Sequence, residues 1–155
     1  MSFRGRPKDS RVSASSMSTR TEDKDGAASL VTRPVTIFVC VTCRRSEDSE
    51  DFPRPGATLA ASTAQAAQGT GLTVKRVRCL ANCSRGLSAA IRPHDGWTYL
   101  FGGLEATTDG TALIEGAQLL ARSIDGLMPW RGRPQALKSG LVARVPPLDF
   151  PEDPL

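Results

Sequence analysis

Twice in this chain a run of β-forming residues delivers a tight pair of cysteines, and one stretch of helical pattern separates the two occurrences. The first is "VTIFVCVTC" (35–43) and the second "LTVKRVRCLANC" (72–83). Together they hold all four cysteines, as C-x2-C at Cys40 and Cys43 and as C-x3-C at Cys79 and Cys83. Between them, after the charged loop "RRSEDSEDFPR", the alanine-rich "PGATLAASTAQAAQ" (55–68) sets Leu59, Ala60, Thr63, Ala66 and Ala67 at helical spacing, with Gly69 and Gly71 beyond. A strand, helix and second strand in this order form a right-handed crossover when the strands are neighbours. The two strands are then parallel and their C-terminal ends share one edge of the sheet. Two cysteine pairs distant in sequence are thereby expected to form one site.

Further along, "LSAAIR" (87–92) and "WTYLF" (97–101) flank the turn "PHDG" and predict a β-hairpin. The segment 107–126 places Leu113, Ile114, Ala117, Leu120, Ala121 and Ile124 on one helical face, with Thr/Asp capping candidates before it and Gly126 after it. A short helix from Pro134 to about Val142 follows, with Trp130, Leu137 and Leu141 expected to anchor it. Residues 1–33 are rich in Ser, Thr, Arg, Asp and Gly without apolar periodicity and predict a disordered tail. Met17 opens a second plausible start, which puts residues 1–16 in question. The folded domain is expected over 34–145, and the proline-rich 146–155 as an irregular tail.

No apolar run approaches the roughly twenty residues of a membrane span, and the basic N-terminus lacks a secretory pattern. The expectation is a soluble, cytoplasmic protein with no membrane partner. In a reducing compartment four cysteines point to metal ligands or redox thiols before structural disulfides. The net charge of +4 raises the question of nucleic acid, but residues 1–34 alone contribute +3, from seven Lys/Arg against four Asp/Glu. With no nucleic-acid module around the few aromatic residues, no nucleic-acid partner is expected.

Short spacings let both thiolates of a pair turn toward one point, and four thiolates suit zinc, mononuclear iron or, with bridging sulfides, an iron-sulfur cluster. Arg44, Arg45, Arg78 and Arg85 flank the cysteines and favour thiolate over thiol, but they do not discriminate between centres of equal formal charge. Gly86 allows a close backbone approach beside Cys83, and Asn82 suits a loop. The dithiol alternative is an oxidoreductase built on Cys40-Val41-Thr42-Cys43; such a motif opens a helix, whereas charged loop residues follow it here.

The residues "VCVTC", the long gap, "RCLANC" and the order strand, helix, strand, hairpin, helix over about 34–126 resemble the thioredoxin-like [2Fe-2S] ferredoxins. The stretches "VCVTCRR", "VRCLANCSRG", "GWTYLFGGL" and "PWRGRPQALKSGLVARVPP" are also similar to an uncharacterised bacterial family of predicted metal-binding proteins. The resemblance implies an α/β, thioredoxin-like fold with about four strands in a mixed sheet and two main helices. It implies a [2Fe-2S] cluster held by Cys40, Cys43, Cys79 and Cys83, with zinc or mononuclear iron as the alternative. Only Val41 and Thr42 separate the first pair, where ferredoxins of this type have four or more residues, and this tighter loop leaves a single-metal site open.

The expected function is electron carriage or metal binding rather than catalysis, with a redox or metal-transfer protein as partner and the oligomeric state open. His94, the single histidine, reads as a solvated turn residue, which removes support for a Ser-His-Asp or Cys-His mechanism. Trp97, Tyr99 and Phe101 read as one core-facing side of a strand. "FGGLE" (101–105) reads as a turn with no phosphate-binding pattern, and Glu47, Asp48, Glu50 and Asp51 as a solvated acidic loop.

Overall fold

The computed structural model describes residues 32–154. Of the disordered tail expected over 1–33, residues 1–31 lie outside the described residues, as do the alternative start at Met17 and the terminal Leu155, whereas Arg33 is held in place, its backbone N–H donating to Ala121 O at 3.0 Å and its guanidinium to Asp95 O and Ile124 O. Strand β1 (Val35–Cys40) presents Val35, Ile37 and Val39 to the core at alternate positions, as a strand buried on that side requires. Helix α1 (Pro55–Ala66) begins with proline in its first turn, where the missing N–H goes unmissed, and buries Leu59, Ala60 and Thr63. Strand β2 (Thr73–Val77) follows, then β3 (Ala89–Pro93), β4 (Thr98–Phe101) and helix α2 (Asp109–Ala121). A one-turn helix α3 (Gln135–Ser139) and strand β5 (Leu141–Val145) close the sequence of elements.

The five strands form one mixed sheet in the order β2-β1-β3-β4-β5. β1 and β2 are parallel, with Cys40 opposite Val77, while β3, β4 and β5 each run antiparallel to the strand before them in the sheet. This β1-α1-β2 crossover, followed by the β3-β4 hairpin and α2, is the order of elements the sequence predicts. The helices α1 and α2 pack on each other and on β1, so Leu59, Ala60, Leu113, Ala117 and Leu120 share one core with Ile37, Val39, Ile91, Tyr99 and Phe101. Ser62 Oγ donates to Ala106 O at 3.0 Å and ties α1 to the segment that enters α2.

The structure departs from the sequence expectations in the last third. The helix expected over 134–142 ends at Ser139, and Gly140 turns the chain into β5, a fifth strand the reading missed. "LVARV" is short enough to fit either period, and its pairing with β4 settles the choice through tertiary contact. Ile124 lies beyond the end of α2 and is 96% exposed rather than on its buried face, because the helix stops at Ala121. Leu137 is fully buried as expected, but Trp130 is 63% exposed and anchors nothing inward. Tyr99 and Phe101 face the core, whereas Trp97 is half-buried against Phe150 at the margin.

Leu137 is the one fully buried side chain of α3. Leu137→Ala is expected to lower stability by about 2–5 kcal/mol in urea denaturation, the range for a large-to-small change in a packed core.

Candidate metal centre

The end of β1 is held from both sides. Cys40 N–H donates to Ser88 O at 3.0 Å and Val41 N–H to Val77 O at 2.9 Å, so the chain leaves the sheet between the end of β2 and the approach to β3. The loop through Cys43 is then fixed by three contacts. Thr42 Oγ1 donates to Arg78 O, Arg54 Nη1 donates to Thr42 O at 3.0 Å, and Gly56 N–H, in the first turn of α1, donates to Cys43 O at 3.0 Å. Gly56 is required for that approach, because a Cβ there would collide with Cys40 O and meet Cys43 O at 3.0 Å. Cys40 and Cys43 are consequently both buried, and Cys40 Sγ donates to Arg78 O at 3.4 Å.

The second pair is built differently. Cys79 and Cys83 are exposed on the loop after β2. Ala81 adopts φ +56°, a left-handed conformation that costs a non-glycine residue on the order of 1–2 kcal/mol, and its N–H donates to Cys79 Sγ at 3.2 Å. A 3-10 turn over Cys83–Arg85 follows, and Asn82 Nδ2 donates to Ser88 Oγ at 2.9 Å. Ser88 thus serves both halves, its carbonyl holding Cys40 and its hydroxyl holding the loop of Cys83. Gly86 permits the close approach expected of it, since a Cβ there would lie 2.8 Å from Arg44 O.

A cavity of about 470 Å³ separates the two loops, with Cys43 on one wall and Cys83 on the other. Arg44, Arg45 and Arg54 line it together with Glu47. Arg44 pairs with Glu50 of the acidic loop and Arg45 with Glu105, each at 2.5 Å, while Glu47, Glu50 and Asp51 stay exposed as the solvated-loop reading expects. Among the described residues Arg54 has no such partner, and its buried Nε lacks a hydrogen bond. Arg78 and Arg85 are exposed beside Cys79 and Cys83. His94 is exposed, 3.0 Å from Asp95, and its N–H donates to Pro34 O at the start of β1. A strand of six residues spans roughly 20 Å, which removes His94 from the cysteines at the strand's other end.

All four cysteines are free. The sulfurs group as two pairs, Cys40 beside Cys43 and Cys79 beside Cys83, each near enough to shift its partner's ionisation. Among the described residues no group of three or more Cys, His, Asp or Glu side chains is drawn close enough to hold a metal ion. Four thiols on two loops that flank one cavity suit a thiolate-ligated centre, with no imidazole on the cavity wall and Glu47 as its one carboxylate.

Burial pushes the Cys40 thiol up, yet hydrogen bonds from Cys43 and from the Thr42 side chain and backbone outweigh it, so its pKa lies below the ordinary value. Burial and the adjacent Cys40 push Cys43 up from 9.0 to about 11. Hydrogen bonding and charge from Cys79 raise Cys83. One thiol of the buried pair ionises readily, and its charge then opposes ionisation of the second.

The sequence reading missed Gly56, Ser88 and Arg54. A glycine inside the first turn of an alanine-rich helix was a usable signal for Gly56. No local signal marks Ser88 or Arg54, whose roles follow only from the approach of distant segments.

In the metal-free, reduced chain Cys43 keeps its proton up to about pH 11 while the unfolded chain releases it near pH 9. The unfolded state binds fewer protons across that window, so stability falls as pH rises through it. Urea midpoints from pH 8.5 to 11 are expected to fall more steeply in the native chain than in Cys43→Ala.

The family model described as "Protein of unknown function (DUF1636)" matches residues 37–147. A comparison with curated proteins finds no match. Among solved structures, the chain is similar to a thioredoxin-like [2Fe-2S] ferredoxin from Aquifex aeolicus, at 15% identity and a TM-score of 0.48, over 76% of this chain and 99% of the other. The family match takes in both cysteine pairs, nearly the whole of the sheet and all three helices, and on that extent the chain belongs to the DUF1636 family.

Proposed function

We propose that this protein is an electron carrier that binds a [2Fe-2S] cluster through Cys40, Cys43, Cys79 and Cys83 and passes single electrons to or from a protein partner. The observation that carries the reading is the parallel pairing of β1 with β2, which sends both cysteine loops off the same end of adjacent strands. Such a cluster supplies reversible one-electron chemistry at a potential tuned by charge, hydrogen bonding and exposure. The chain's own residues divide the work. Cys40 and Cys43 offer a buried, backbone-fixed half-site, and Cys79 and Cys83 offer an exposed half through which a partner would approach. The backbone N–H of Ala81 is directed at Cys79 Sγ and orients that side chain on the loop. Arg54, on the wall between the loops and without a carboxylate partner among the described residues, offsets part of the negative charge that four thiolates bring.

A single-metal module is the second reading, favoured by the narrow C-x2-C loop, in which only Val41 and Thr42 separate the two buried cysteines. In that reading zinc or mononuclear iron is held structurally or for delivery, with no electron transfer.

Anaerobic purification followed by iron and sulfide assay, visible absorption and electron paramagnetic resonance after reduction separates these readings. The expected result is two irons and two sulfides per chain, with a paramagnetic signal that appears on one-electron reduction. Replacing any one of the four cysteines by alanine is expected to remove most of the visible absorption. A colourless protein with one zinc per chain would establish the single-metal module. Metal-free protein that cycles between dithiol and disulfide would establish an oxidoreductase.

A further inference from the structure

On the β4-β5 side of the sheet, away from the cysteines, a second cavity of about 410 Å³ opens beside Arg133. Arg133 is only 7% exposed, yet among the described residues no carboxylate lies within ion-pair distance of it. Its Nε donates to Pro129 O at 3.3 Å and its Nη2 to Met128 O, while its guanidinium lies over the rings of Tyr99 at 5.5 Å and Trp130 at 5.3 Å. A buried cation held only by neutral carbonyls and ring faces is expensive, and chains ordinarily pair such a charge. Burial accordingly lowers the pKa of Arg133, and the charge of Arg144 acts in the same direction.

Three further features converge on the same space. Arg144, opposite Tyr99 in the β4-β5 register, lines the cavity and brings a second cation without an ion-pair partner among the described residues. Trp130 lines it too, with its large ring 63% exposed and flanked by Arg133 and by Lys138 at 5.5 Å. Leu127, Met128 and Leu141 supply apolar wall. The one acidic residue there, Asp125, uses Oδ1 to accept the N–H of Leu127 at 3.0 Å and pairs with neither arginine. The lining is thus two cations against one carboxylate. These residues include Trp130, Arg133, Leu141 and Arg144 of the stretch "PWRGRPQALKSGLVARVPP", for which the cysteine site has no use.

We propose that this cavity binds a small organic anion, whose carboxylate or phosphate group is received by Arg133 and Arg144 and whose planar or apolar body lies against Trp130. A purely structural role for Arg133, bracing the backbone of Met128 and Pro129, accounts for its hydrogen bonds. It leaves two cations at one cavity without a counter-charge among the described residues, since Arg144 has only the face of the Trp97 ring, 4.7 Å away, as a partner. An oxyanion at this place completes the charge balance of a buried guanidinium, and a flat substituent covers the exposed ring.

The test uses the full-length protein, with binding read by calorimetry and tryptophan fluorescence. Benzoate, phenyl phosphate, inorganic phosphate and the uncharged benzamide are the probes. Saturable binding of benzoate or phenyl phosphate is expected, at least about tenfold tighter than benzamide, as loss of a charge-assisted contact implies. The tighter of the two organic anions identifies the headgroup. Arg133 is buried, so the variants are the exposed Arg144→Gln and Trp130→Ala, each expected to weaken binding by about tenfold with the fold unchanged by circular dichroism. The proposal is overturned if neither organic anion saturates, if both variants bind as the native chain does, or if inorganic phosphate binds as tightly as phenyl phosphate.

Discussion

Everything distinctive about this protein depends on the parallel hydrogen-bonded ladder between β1 and β2. Had the two strands run antiparallel, their cysteine pairs would sit at opposite ends of the sheet, about one strand length apart. Because α1 carries the chain back across the face, Cys40 lies opposite Val77 and both pairs emerge at one edge. The core that secures this arrangement is ordinary. β-branched and aromatic side chains of β1, β3 and β4 pack under α1 and α2, and the helices meet through small residues.

The two halves of the candidate centre differ in character although they share an edge. The first is part of the core, its backbone hydrogen bonds reaching Val77, Ser88 and Gly56. The second stands in solvent on a loop with a left-handed alanine and a single 3-10 turn. Charge follows the same division. On the buried side Arg44 and Arg45 are tied to Glu50 and Glu105, whereas Arg78 and Arg85 beside the exposed pair reach solvent. A centre closed by these sulfurs would have one face fixed in protein and one available to another molecule.

Much of this was legible in the sequence where local pattern and tertiary demand agree. "VTIFVC" is apolar enough to be a buried strand in almost any context, and the alanine-rich segment with glycines beyond it makes a helix with a clear end. The last third was less legible because its elements are too short for periodicity to discriminate. "LVARV" becomes a strand through its ladder with β4, and Ile124 falls outside α2 because the helix stops three residues earlier. The site was legible in its four sulfurs and in Gly86. The residues that brace it were hidden, since Ser88 and Arg54 matter only through segments brought together by folding.

The unequal anchoring of the two cysteine pairs sets the order in which their backbone is lost to solvent. Cys40 N–H lies in the ladder of the central strands, so its amide exchanges with solvent only when the sheet as a whole opens. The loop of Cys79 to Arg85 has few buried contacts and opens locally, many times before the sheet does. The buried pair is therefore fixed by the sheet itself, and the exposed pair by a short surface loop alone. A centre closed by all four sulfurs would open first at Cys79 and Cys83, and its lifetime would be set by the stability of a short surface loop rather than by that of the fold.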